Sequence, residues 1–288
     1  MTMKIYLTAF SILLAATSAY PRQIQAPLEF STIQAAIDSS VSGDTIIVTD
    51  GHYFERVDLN SKAIVLASEY LLDADTNHIS NTIIDGDTSV TPIQDSSSVI
   101  FVSNISGDAA LICGLTVQNG QGSILEVFST LYNVGGGILC ANAAVKIQKC
   151  IIRNNNSNNL GGGIFSFSSQ VGITNCTFDS NESSNGGGLC IYSSSGSIVD
   201  LCLFSNNDAT EGGGANISFG IVTLQNSKFS DNTALLGGGL LIVDNRSSVI
   251  NCDFQGNLGF KGGGIYCFQG ADGGIIDCEF YNNTASLQ

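Results

Sequence analysis

Apolar and polar residues alternate along most of the chain. Short runs such as Leu189-x-Ile191, Leu240-x-Ile242 and Cys252-x-Phe254 put an apolar residue at every second position. A period of two belongs to a strand with one buried face, and no 3.6-residue stripe recurs, so strands are expected over most of the length. Clusters of Gly, Asn and Ser separate the runs, which is the chemistry of turns.

The pattern also repeats at long range. Gly-Gly-Gly begins at 135, 161, 186, 212, 237 and 262, a period of 25 or 26 residues. The second half of each unit recurs as Cys150-Ile-Ile152-Arg-Asn-Asn155, Cys176-Thr-Phe178-Asp-Ser-Asn181, Cys202-Leu-Phe204-Ser-Asn-Asn207, Ser227-Lys-Phe229-Ser-Asp-Asn232, Cys252-Asp-Phe254-Gln-Gly-Asn257 and Cys278-Glu-Phe280-Tyr-Asn-Asn283. A unit this small cannot bury its own apolar face; stacking does so, with like residues lying over like in adjacent units. The expected fold is an all-β solenoid with about three strands per coil. Phe178, Phe204, Phe229, Phe254 and Phe280 should stack inside it, beside an aliphatic column of Ile173, Val199, Leu224, Val249 and Ile275. Asn155, Asn181, Asn207, Asn232, Asn257 and Asn283 should form a ladder that satisfies turn groups. The glycine triplets fit sharp bends where neighbouring coils approach closely.

Nine cysteines would suggest disulfides in an exported chain. Their spacing argues otherwise, because Cys150, Cys176, Cys202, Cys252 and Cys278 share one column with Ser227 in the gap. Side chains stacked in register point the same way rather than toward each other, so a column of buried free thiols is expected.

Upstream, Ser31 and Gln34 read as a capping box, and Ile33, Ala36 and Ile37 give one apolar face, so a short helix over about Thr32 to Ser39 should plug the open end of the stack. A first strand follows at Thr45 to Val48. Degenerate coils are expected through Lys62 to Ala67, Asn81 to Ile84, Ser98 to Ser103 and Ala110 to Gln118, with loops at about Glu69 to Ser80 and Gln121 to Val134.

Residues 1–19 look like a secretory leader: Lys4, the apolar run Ile5 to Ala16, then Thr17-Ser18-Ala19. The layout is thus a leader over 1–19, a linker over 20–29, cap helix and degenerate coils over 30–133, and regular repeats over 134–288. No transmembrane helix is expected in the mature chain. The net charge of −15 would repel phosphate backbones, which excludes nucleic acid as a partner. The ladder position of Asn181 makes its Asn-Glu-Ser sequon a matter of composition rather than glycosylation.

The repeat Gly161-Gly162-Gly163-Ile164 with Phe178-Asp-Ser-Asn181 resembles the GGA[I] and FxxN repeat of the polymorphic outer membrane proteins, within the pectate-lyase-like right-handed parallel β-helix superfamily. The likeness covers roughly 134–288, with Gly-Gly-Gly where that family often has Gly-Gly-Ala. The segment STIQAAIDSSVSGDTIIVTDGHYFERV resembles the entry segment of many secreted β-helices. The resemblance implies right-handed coiling, a secreted or cell-surface, outer-membrane-associated location, and a membrane barrel or sorting domain after Gln288, where a seventh glycine triplet would fall due.

Enzymes of that superfamily carry calcium-binding aspartates with a basic proton acceptor, or Asn-Thr-Asp, Gly-His-Gly and Arg-x-Lys signatures, and none of these signatures occurs here. Asp253 and Glu279 share an outward column about 5 Å apart, within retaining-glycosidase spacing, but read first as a solvated acidic pair. Arg153 beside Asp179 reads as a surface ion pair. Asp85-Gly86-Asp87 is a weak calcium candidate, since paired aspartates around glycine are common in turns. His52 and His78 read as lone loop histidines. The expectation is a non-catalytic adhesin or cell-envelope protein that binds an extracellular glycan or protein; the alternative is a polysaccharide lyase or glycoside hydrolase.

Overall fold

The computed structural model describes residues 20–87, 98–243, 246–268 and 273–286. The leader expected over 1–19 lies outside them.

The chain coils into a right-handed parallel β-helix walled by four sheets. Sheet A has ten strands, from Gln23–Ala26 to Ile275–Ile276; sheet B has nine, from Gly51–Tyr53 to Glu279–Tyr281; sheet C has eight, from Val57–Asp58 to Ile265–Phe268. A shorter sheet D of five strands, from Glu182–Asn185 to Thr284–Ala285, joins the expected three in the later coils. One coil runs Ile164–Phe167 in sheet C, Gln170–Thr174 in A, Thr177–Asp179 in B and Glu182–Asn185 in D, then turns through Gly186 to Gly188 into the next sheet C strand. The strand Gln23–Ala26, within the 20–29 stretch, pairs in parallel with Thr45–Val48.

Like residues do lie over like. Phe178 pairs in register with Phe204, then Phe229, Phe254 and Phe280. Their rings stack at 4.5, 4.5, 4.8 and 5.1 Å between centroids. Phe280, in the last described coil, stacks on Phe254 but is exposed. Burial of each inner ring contributes about 1.5–3 kcal/mol. The aliphatic column from Ile173 through Val249 is fully buried beside them. The cysteines are all free, and the column thiols donate to carbonyls, as from Cys176 to Ile147 at 3.5 Å. Burial pushes the Cys252 thiol up to about 12, so Cys252 is an apolar packing group rather than a nucleophile.

The asparagine ladder closes the elbow between sheets B and D. The Nδ2 of Asn207 donates to the Phe178 carbonyl at 3.0 Å and to Asn232 Oδ1 at 2.9 Å, while the Asn207 amide donates to that same oxygen at 3.0 Å. Equivalent bonds run from Asn155 to Asn283. At the next elbow the first glycine of each triplet has φ near +65°, as in Gly186 at 67°. A Cβ on the second, Gly187, would lie 2.6 Å from the Gly213 carbonyl oxygen of the next coil. The triplets are thus required by both backbone conformation and close approach. Bends between sheets A and B use one left-handed residue per coil: Lys149, Asn175, Leu201, Asn226, Asn251 and Asp277.

The cap helix spans Ile33–Ser39 and lays Ile33, Ala36 and Ile37 over the first coil. Its N-cap is Thr32, whose hydroxyl accepts from the Ala35 amide at 3.0 Å, rather than Ser31 of the expected box. Glu55 supplies the missing carboxylate by accepting from the amides of Ile33 and Gln34, so a distant residue does what the local motif suggested.

Two expected loops are ordered elements. The expected loop over 69–80 holds the helix Tyr70–Asp73 and all but the last residue of the helix Asn77–Asn81. The stretch 121–134 forms an antiparallel hairpin, Ser123–Val127 with Thr130–Val134, turned by Phe128 and Ser129, both with positive φ.

Candidate functional site: an aromatic cleft under a hairpin

Sheet C is apolar on both faces, and its outward side makes a cleft. Ile164 and Ser166 point to the core of the helix; alternating with them, Phe165 and Phe167 point outward. In register behind Phe165 come Cys190 and Asn216, and behind Phe167 come Tyr192 and Ser218. The glycine elbow folds sheet D against this face, so Phe165, Cys190 and Asn216 are buried although they face away from the main core. The opposite wall is a column of Val134, Leu160, Asn185 and Glu211.

The hairpin roofs one end. Val127 and Val134 pack with Leu139, Leu160, Phe165 and Cys190 in an apolar cluster separate from the main core, and Tyr132, Phe167 and Tyr192 pack against it. Asn133 pins the hairpin: its Oδ1 accepts from the Asn158 amide at 2.7 Å, and its Nδ2 donates to the carbonyls of Gln121 and Gly122.

The resulting cleft encloses about 290 Å³, lined by Phe128, Tyr132, Tyr192 and Phe219 together with Asn185, Glu211, Asn216 and Ser218. This volume is at the lower end of small-molecule sites, about 300–1,000 Å³. Tyr192 and Phe219 meet edge to face at 5.3 Å between centroids, and Phe128 tilts toward Tyr192 at 6.1 Å. Phe128 is 70% exposed and Phe219 47% exposed at the lip. Left-handed φ at both Phe128 and Phe219 projects these rings from turns. Asn216 is buried; its Oδ1 accepts from Ser218 Oγ at 2.6 Å, while its Nδ2 has no partner among the described residues. Glu211 is half-buried and makes no side-chain hydrogen bond or ion pair there. Burial first, then Cys190 and Tyr132, pushes the Tyr192 phenol up, so its hydroxyl stays a neutral donor.

A second polar cluster lies on sheet B. Asp85, 2% exposed, receives His52 Nε2 at 2.7 Å and Gln118 Nε2 at 2.6 Å on Oδ2. The Nδ2 of Asn119 reaches both its oxygens, and the Asp87 amide reaches Oδ1 at 2.9 Å. Burial pushes the Asp85 carboxyl up, but the bonds from Gln118, His52 and Asn119 outweigh it and hold the group below the ordinary aspartate range. A carboxylate filled by N–H donors has no lone pair to offer calcium, so Asp85 does not fit the ligand role expected for it. His52 is a strand residue bonded to this carboxylate rather than a lone loop histidine. Arg153 donates from Nε to Gln118 at 2.9 Å; Asp179 instead accepts from Ser205 and Asn206. The expected Arg153 to Asp179 ion pair therefore does not form, although the two stand in register.

His78 joins three carboxylates. Its Nδ1 faces Asp50 at 2.7 Å and Glu69 at 3.9 Å, and its Nε2 faces Asp73 at 3.2 Å. Asp253 and Glu279 stand in register on sheet B after Lys228, all exposed. Tyr281 donates to Glu279 at 2.9 Å. The structure keeps this pair on the sheet B face, away from the cleft.

The cleft was missed in sequence because its residues sit in the alternate positions of strands already assigned to the core. Leu189-Cys190-Ile191-Tyr192 is a continuous apolar run, the signal of a strand covered on both faces.

Comparison with known proteins agrees with this architecture. A family model described as a right handed beta helix region matches residues 168–287. The chain has no significant match among curated protein sequences. Among solved structures it is similar to a pectin methylesterase from Aspergillus niger, at 17% identity over 94% of this chain and 87% of that one, with a TM-score of 0.50. It is likewise similar to a pectin methylesterase from Yersinia enterocolitica, at 12% identity over 89% and 92%, with a TM-score of 0.51. The fold is therefore a right-handed parallel β-helix, which these two enzymes share.

Proposed function

We propose that this is an exported carbohydrate-active β-helix protein that holds a glycan segment in the cleft beneath the hairpin. The observation that carries this reading is the cleft itself: exposed aromatic faces beside amide, hydroxyl and carboxylate groups. Sugar rings present apolar C–H faces edged by hydroxyls, and such a wall matches both. The fold shared with two pectin methylesterases supports carbohydrate over protein as the ligand. Export rests on the leader over 1–19. The expected adhesin role keeps its binding component here, with the binding face assigned to the cleft.

Affinity electrophoresis in a polysaccharide panel tests it: retardation should be lost on Phe219→Ala combined with Tyr192→Ala. Undiminished retardation, or none with any polysaccharide, would refute it. Catalysis is the second reading, favoured by the Glu211 carboxylate in the cleft. It is checked by following methanol, reducing ends and unsaturated products with and without calcium. Turnover abolished by Glu211→Gln would establish it; turnover abolished by Asp253→Ala or Glu279→Ala would move the chemistry to sheet B.

A further inference from the structure

The charge in the cleft restricts which sugar it can hold. Glu211 is the one ionisable carboxylate among the described lining residues, and no Lys or Arg lines the cleft with it. Lys261, two coils further along the same column, lies about 10 Å away by strand spacing. Glu211 is half-buried and lines the cleft together with Tyr192 and Phe219, without a hydrogen-bond or ion-pair partner among the described residues. An unpaired carboxylate in such a place attracts a cation and repels an anion more strongly than it would in open water. The two rings add to this, because the faces of Tyr and Phe attract ammonium groups. The chain's net charge of −15 extends the same preference to approach, drawing cationic ligands in and slowing polyanions.

Asn216 adds a polar donor to the same wall. It is 3% exposed and lines the cleft, its Oδ1 is occupied by Ser218, and its Nδ2 keeps its protons free of any described partner. No fully buried side-chain nitrogen or oxygen among the described residues lacks a partner, so this Nδ2 opens onto the cleft, where an acceptor oxygen of a ligand can take the place of solvent.

We propose that the cleft selects a sugar carrying a free amine, with its ammonium against Glu211 and the Tyr192 and Phe219 rings, and a ring or hydroxyl oxygen on Asn216 Nδ2. This rests on the glycan reading above and sharpens it: the ligand is a hexosamine polymer with unacetylated units, and polyuronates are excluded. No bond is made or broken in this selection.

The test is calorimetric titration of the purified mature chain with four β-1,4 or α-1,4 tetrasaccharides: glucosamine, N-acetylglucosamine, glucose and galacturonate. The glucosamine tetramer should bind about tenfold more tightly than the glucose tetramer, and galacturonate should not bind. Glu211→Gln, which keeps the shape of the side chain, should remove that tenfold preference. Equal affinity for glucosamine and glucose, a preference that survives Glu211→Gln, or tighter binding of galacturonate would each overturn the amine selection while leaving a glycan site in place. Failure of all four to bind would overturn it together with the glycan reading.

Discussion

Asn133 Oδ1 accepts the backbone N–H of Asn158 at 2.7 Å, which ties the hairpin to the wall of the coil beneath it. With the two bonds from Nδ2, this side chain is the polar anchor of an otherwise apolar roof. Replacing Asn133 with Ala leaves the Asn158 amide without its acceptor and should cost about 1–3 kcal/mol. The loss should appear as faster proteolysis at the exposed turn of Phe128 and Ser129, with the repeat core still intact by circular dichroism.

Asp85 should matter for stability rather than binding. It gathers side chains from the two flanking coils, and Asp85→Ala would strand the Gln118 and Asn119 amides; the expected loss is about 2–3 kcal/mol in urea unfolding. The native carboxyl titrates below its unfolded value, so its contribution is complete above the unfolded pKa and fades as pH falls through the native one. The stability difference between wild type and variant should accordingly shrink in acid.

The His78 clasp has the opposite sign. The hydrogen bond to Asp50 is the main influence that raises the imidazole, against desolvation, with Asp73 adding to it. A base with a raised native pKa stabilises the fold fully below its unfolded value, near 6.5, and loses that contribution as pH rises through the higher native value. Thermal melting should therefore drop as pH rises above about 6.5, and His78→Gln should flatten that part of the profile.

The coil and its columns are legible in sequence because stacking makes each position answer to the same neighbours, so Phe204, Asn207 and Gly212 recur in phase. The other features lack that constraint. Sheet D reads as Glu182-Ser-Ser-Asn185 and Asp208-Ala-Thr-Glu211, polar segments held by backbone bonds along the stack without an alternating apolar face to mark them. The hairpin turns at Phe128-Ser129, where a two-residue turn with positive φ would ordinarily carry Asn-Gly, so the usual signal is missing. The clasp of His78 depends on Asp50, 28 residues away, and no local pattern reports it. The cleft joins sheet D and the hairpin, two of these unsignalled parts, which is why the candidate residues in sequence fell on sheet B.

Leu201 exposes one local compromise. It holds φ of 54° in the bend column where Asn175 and Asn226 tolerate that conformation, and it is half exposed. Leu201→Asn should raise stability by about 0.5–1 kcal/mol, read as a higher melting temperature.

The most direct measurement is chemical-shift mapping of the labelled chain while a soluble oligosaccharide that retards it is titrated in. The account predicts perturbations confined to Tyr132, Tyr192, Phe219 and the Asn185 and Asn216 amides. Perturbations centred instead on Asp253, Glu279 and the sheet B face, with the cleft signals unmoved, would contradict it.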